Sequence, residues 1–121
     1  MPNPLSVLIV DDNDDDAFLE ADVLSEAGYE LRWSRVDTAK ALTEALSQQW
    51  DLVICDARMP ELEMSAALTL VQGAAPSTPI VLVAGDRPEN TEEMLATSVL
   101  LDVLHKDKIR DLAALICGLL A

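Results

Sequence analysis

Between Asp51 and Pro60 the chain reads DLVICDARMP, and the four residues Leu52 to Cys55 are apolar without a break. A run that short and that continuous suits a strand buried on both faces, and Pro60, which has no backbone donor, stops further pairing. The strand therefore delivers Asp56 to the rim of a sheet. A second run, Leu5 to Val10, ends in the same way on Asp11 and Asp12, while Leu100 to Leu104 leads to Lys106. Ligands of an open parallel sheet bind beyond the carboxyl ends of its strands, so these separate segments would bring three carboxylates and one ammonium together. Such a set suits Mg²⁺ and phosphate.

The rest of the chain alternates strand and helix signals. Asn13 to Asp16 supply a cap and an acidic first turn, which the unsatisfied N–H groups and dipole of a helix N-terminus favour. The helix predicted from there to Ala27 places Ala17, Leu19, Ala21, Val23, Leu24 and Ala27 on one broad side, with Glu20 interrupting the arc and Gly28 as the stop. Tyr29 to Val36 alternates apolar and polar residues, as an edge strand half in solvent would. Asp37 or Thr38 caps a second helix to about Gln49 with Ala41, Leu42, Ala45 and Leu46 buried, and Trp50 closes over the base of the sheet. After the central strand, a helix from about Met64 ends near Gly73, and Ile80 to Ala84 forms another apolar strand before the turn at Gly85-Asp86-Arg87-Pro88. Glu89 to Thr97, Leu100 to His105 and Asp107 to about Leu119 then read as helix, strand and helix. About five βα units with no linker imply one domain over residues 1–121, with a parallel sheet covered by helices on both faces.

Composition narrows the function. Lys and Arg number 8 against 22 for Asp and Glu, and the formal net charge of −14 repels nucleic acid and anionic membrane. No apolar stretch approaches the ~20 residues of a membrane span, and MPNPLSV is not the start of a signal peptide, so a cytoplasmic location is expected. Cys55 and Cys117 sit inside apolar runs and read as reduced core thiols, although the place of Cys55 beside Asp56 leaves a redox role open. There is no GxxxxGK(S/T) and no GxGxxG.

Taken in order, VLIVDD, DLVICDARMP, PIVLVAG and VLHKD resemble the receiver domain of two-component response regulators across essentially the whole chain. The resemblance implies a flavodoxin-like (βα)5 three-layer sandwich with a parallel sheet ordered 2-1-3-4-5. It implies Asp56 as phosphoacceptor, Asp11 and Asp12 as the pair that holds Mg²⁺ with Asp56, the backbone carbonyl of Arg58 as a further metal ligand, and Lys106 bonded to the phosphoryl group. Gly85 would keep the site open to a donor. The implied partner is a sensor histidine kinase or phosphotransfer protein, and the implied chemistry stops at self-phosphorylation and autodephosphorylation. The surface of the fourth helix, last strand and last helix, where LAALICGLLA is apolar on more than one face, would form a homodimer or output contact, or simply fray at a monomer's end.

Two departures from the family pattern bear on the switch, and those at Glu63-Met64, Val99-Leu100 and Asp107 are smaller. Ala84 stands where a Thr or Ser usually bonds the phosphoryl oxygen, and Val103 stands where a Tyr or Phe usually rotates inward. A phosphoacceptor that works without this Thr-to-Tyr coupling is the leading reading; the alternative is a phosphate-independent interaction module of the same fold. Taken singly, the charged residues have plainer readings. Asp14 to Asp16 serve as helix caps, Lys106 and Arg58 face solvent, and His105 is a surface strand residue. A hydrolase with an aspartyl-phosphate intermediate would need an acid two residues after the nucleophile, and Arg58 is there instead.

Overall fold

Apolar runs over residues 7–10, 52–55 and 80–84 and one alternating run set the architecture, because only a sheet sandwiched between helices buries both faces of the former and one face of the latter. The computed structural model describes residues 3–56, 64–75, 77–84, 101–105, 111–112 and 114. The elements are β1 (Asn3–Val10), α1 (Asp14–Glu26), β2 (Tyr29–Val36), α2 (Ala39–Ala45), β3 (Leu52–Asp56), α3 (Met64–Ala74), β4 (Ile80–Ala84) and β5 (Leu101–His105). The strands form one sheet in the order β2-β1-β3-β4-β5. All four pairings are parallel.

Period-two alternation splits the buried strands between two cores. Val7 and Ile9 of β1, Leu52 and Ile54 of β3, and Val81 and Val83 of β4 pack with Ala17, Ala21, Val23 and Leu24 of α1 and with Leu112. Their neighbours Leu8, Val10, Val53, Cys55, Ile80 and Leu82 pack on the other face with Leu42 of α2, Trp50, and Ala67, Leu68 and Val71 of α3. β2 lies at the edge, and its exposure alternates from Tyr29 to Arg35, as a half-solvated strand requires, before Val36 turns into the core.

Three helices differ in detail from the pattern read in the sequence. In α1 the buried stripe is Ala17, Glu20, Ala21, Val23 and Leu24, so the acid sits inside, while Leu19 is 42% exposed and Ala27 lies at the surface. Spacings of three and four from Ala17 lead to Glu20, Ala21 and Leu24, and this phase carries Leu19 off the sheet. Phe18 is 61% exposed and meets Trp33 edge-to-face with ring centroids 5.3 Å apart. The helix closes as expected at Ala27 and Gly28, whose φ of 103° is a conformation that glycine adopts without a Cβ penalty.

α2 ends at Ala45 rather than near Gln49. Its last turn tightens, with Ser47 and Gln48 donating to the carbonyls of Glu44 and Ala45, and the buried Trp50 indole donates to the Ala45 oxygen at 2.8 Å. That indole is buried in the core formed with α2 and α3, and the Arg32 guanidinium lies 5.1 Å from its ring centroid. α3 runs through Gly73 to Ala74; this glycine is helical, and Pro76, which disfavours helix at the residue before it, stands just beyond. The expected fourth helix, Glu89 to Thr97, and Cys117 lie outside the described residues, as does most of the last helix.

Candidate functional site

The register explains why two aspartates from distant segments meet. Val10 of β1 is paired with Cys55 of β3, so the next residue along each strand direction is Asp11 on one and Asp56 on the other. Asp56 is the last residue of β3 and is paired with Val83 of β4. Carboxylate oxygens of Asp11, Asp12 and Asp56 lie within 4.8 Å of one another. Asp11 and Asp56 are 1% and 3% exposed, whereas Asp12 is open to solvent.

The loop that carries Asp11 and Asp12 is fixed by its own hydrogen bonds. The Asp11 amide donates to the Val36 carbonyl at 3.0 Å, which ties the end of β1 to the end of β2. The Asn13 amide donates to Asp11 Oδ1 at 2.9 Å, and Asn13 Oδ1 in turn accepts from the amides of Asp15 and Asp16. Asn13 is thus the cap of α1 and at the same time the residue that orients Asp11. Asp14, Asp15 and Asp16 occupy the first helical turn.

Three carboxylates converging on one rim repel one another, and a divalent cation between them offsets that repulsion. Ligand oxygens on one octahedral Mg²⁺ are roughly 3–4 Å apart when its bonds are about 2.1 Å, a separation of the same order as the limit of 4.8 Å that contains the three carboxylates. The hard, all-oxygen donor set of Asp11, Asp12 and Asp56 therefore fits Mg²⁺.

Cys55 is one residue from this rim but faces the opposite core. Burial first, and then the charges of Asp56, Asp11 and Glu20, push its thiol up to about 12. A thiol that stays protonated is a poor nucleophile, so Cys55 is a core residue that donates weakly to the Asp56 carbonyl.

Among the other residues singled out in the sequence, Ala84 ends β4 and is paired with His105, and Val103 in β5 is paired with Leu82. Lys106, Arg58 and Gly85 lie outside the described residues. Sequence reasoning missed Arg35, which bonds the Asp11 carbonyl, and the burial of Glu20 in α1. The signal for Arg35 was its phase: it shares the half-buried side of β2 with Tyr29, Leu31 and Trp33.

Residues 7–116 match the model of the response regulator receiver domain. The chain belongs to that family. Among curated proteins, this receiver is 35% identical over 95 residues to a protein-glutamate methylesterase/protein-glutamine glutaminase of Archaeoglobus fulgidus, a match that covers 75% of this chain and 26% of that protein. It is 31% identical over 108 residues to the CAI-1 autoinducer sensor kinase/phosphatase CqsS of Vibrio cholerae, over 87% of this chain and 16% of that protein. The receiver thus spans about a quarter or less of the length of these relatives. Among solved structures, the signal receiver domain of a signal transduction histidine kinase from Syntrophus aciditrophicus superposes with a TM-score of 0.77 at 24% identity, covering 96% of this chain and 89% of that one. That likeness establishes the flavodoxin-like fold. No helix among the described residues is long and apolar enough to cross a membrane.

Proposed function

We propose that this receiver takes a phosphoryl group onto Asp56 from a sensor histidine kinase or phosphotransfer protein and relays it to a partner or output. The observation that carries this reading is the convergence of Asp11, Asp12 and Asp56 at the carboxyl edge of the sheet, two of them buried. A carboxylate oxygen of Asp56 attacks phosphorus in line; the new O–P bond forms as the bond from phosphorus to the donor's nitrogen or oxygen breaks, and the donor leaves with that electron pair. Mg²⁺, when held by Asp11, Asp12 and Asp56 with the Arg58 carbonyl, neutralises charge on the phosphoryl oxygens. Asp11 is held in place by the Asn13 amide, and the surrounding apolar residues limit access of water to the buried Asp56. Lys106, the residue after β5 in the sequence, is assigned the bond to the phosphoryl group, and Gly85 the admission of the donor. No chemistry beyond gain and loss of this group is assigned to the chain.

The same reading takes residues 1–121 as one receiver domain with a complete (βα)5 arrangement, located in the cytoplasm, where a reduced Cys55 is at home. Ala84 and Val103 replace the hydroxyl and the aromatic that couple phosphorylation to shape change, so output runs through loop rearrangement, phosphate transfer or self-association through the fourth helix, β5 and last helix. Incubation with Mg²⁺ and acetyl phosphate tests the core of the proposal. Intact mass is expected to rise by one phosphoryl group in the wild type and not in Asp56→Asn. An unchanged wild-type mass together with no uptake of Mg²⁺ would instead favour a phosphate-independent interaction module.

A further inference from the structure

We infer that Arg35 is a positioning residue for the acidic rim, a clamp from β2 that holds the Asp11–Asp14 loop in the geometry needed for Mg²⁺. This inference rests on the reading of the rim as a metal and phosphoryl site. The guanidinium touches three segments at once. Its Nη1 donates to the Asp11 backbone oxygen at 3.1 Å and to Asp37 Oδ2 at 3.3 Å, while its Nε pairs with Asp14 Oδ1. The Arg35 side chain is 29% exposed, against 69% for Asp14.

An exposed ion pair such as Arg35 with Asp14 contributes little by itself. What matters is where the three contacts fall. Asp11 and Asp14 bracket Asp12 and Asn13, so one planar fork fixes both ends of the segment that presents two of the three carboxylates. The backbone bond from the Asp11 amide to Val36 sets only the first of those ends. Asp12 is exposed, and its place in the cluster depends on this bracketing. Lysine could not do the same, because a single ammonium lacks the rigid fork that spans a carbonyl and two carboxylates.

Charge and positioning predict opposite signs, which makes the inference testable. If Arg35 acted only as a positive charge near the rim, its removal would strengthen Mg²⁺ binding. If it positions the loop, removal weakens binding by about ten-fold, the lower end of what loss of an outer-shell partner costs a metal site.

The experiment compares wild type, Arg35→Ala and Arg35→Lys by calorimetric titration with Mg²⁺ and by amide hydrogen exchange of the metal-free proteins. The expected result is weaker Mg²⁺ binding in both variants. Exchange at Asn13 should also be faster, with β1 and β3 core amides unchanged. Binding that is unchanged or tighter in Arg35→Ala, or unaltered exchange at Asn13, overturns the clamp. If the wild type itself takes up no Mg²⁺, the site reading fails and the positioning role falls with it, whereas wild-type binding matched by both variants overturns the clamp alone.

Discussion

Raising the pH should destabilise this protein through Cys55 in a way that a Cys55→Ala variant escapes. The thiol is pushed from its ordinary 9.0 to about 12 in the folded state, first by burial and then by the nearby carboxylates. Below pH 9 the thiol is protonated whether the chain is folded or not, so it has no effect on the equilibrium. Between 9 and 12 the unfolded chain loses the proton while the folded chain keeps it, and stability falls as pH rises. At about 1.4 kcal/mol for each pH unit the loss reaches about 3 kcal/mol at pH 11 and about 4 kcal/mol by pH 12. Urea unfolding at pH 8 and pH 11 measures this, and the difference between wild type and Cys55→Ala removes the contribution of every other titrating group. A parallel fall in the two proteins would refute the reasoning, because it would mean that Cys55 ionises as easily in the fold as outside it.

Other consequences can be checked with single substitutions. Asn13→Ala removes the acceptor for the Asp15 and Asp16 amides and should cost about 1 kcal/mol in urea unfolding; a change within experimental error would show that the acidic first turn caps itself. Ala84→Thr restores a hydroxyl at the end of β4, and a hydrogen bond to a charged group is worth about 1.5–3 kcal/mol, or roughly ten- to a hundred-fold in a two-state balance. The phosphorylated Ala84→Thr protein should therefore show a larger NMR shift response than the phosphorylated wild type, and equal responses would contradict the proposed loss of coupling.

Much of the fold was legible because its strands are of two contrasting kinds. Leu52 to Cys55 and Ile80 to Ala84 are apolar at every position, which fits strands with neighbours and helices on both sides, whereas Tyr29 to Val36 alternates as an edge strand must. The same logic led to Asp11, Asp12 and Asp56, since each follows or ends an apolar run and the register then sets Asp11 beside Asp56.

Where sequence reading failed, tertiary contacts decided. The Trp50 indole takes a carbonyl at the end of α2, and nothing in the local pattern of Ala39 to Gln49 announces that. Glu20 is buried because the helix phase set by Ala17, Ala21 and Leu24 outweighs the preference of one acid for water. Arg35 looked like one more polar residue of a solvated strand; its phase placed it on the inner side, but its partners became apparent only when the β1–α1 loop folded back against β2. Gly73 shows the converse, a glycine in sequence that reads as a stop yet sits inside α3 with a helical backbone.

Chemistry specific to an acyl phosphate locates the phosphoryl group. After reaction with acetyl phosphate and Mg²⁺, borohydride reduces a phosphorylated aspartate to homoserine, and peptide mass mapping identifies the position. Homoserine is expected at position 56 and nowhere else, and only when Mg²⁺ is present. Homoserine at another aspartate, or at position 56 equally with and without the metal, would contradict that expectation.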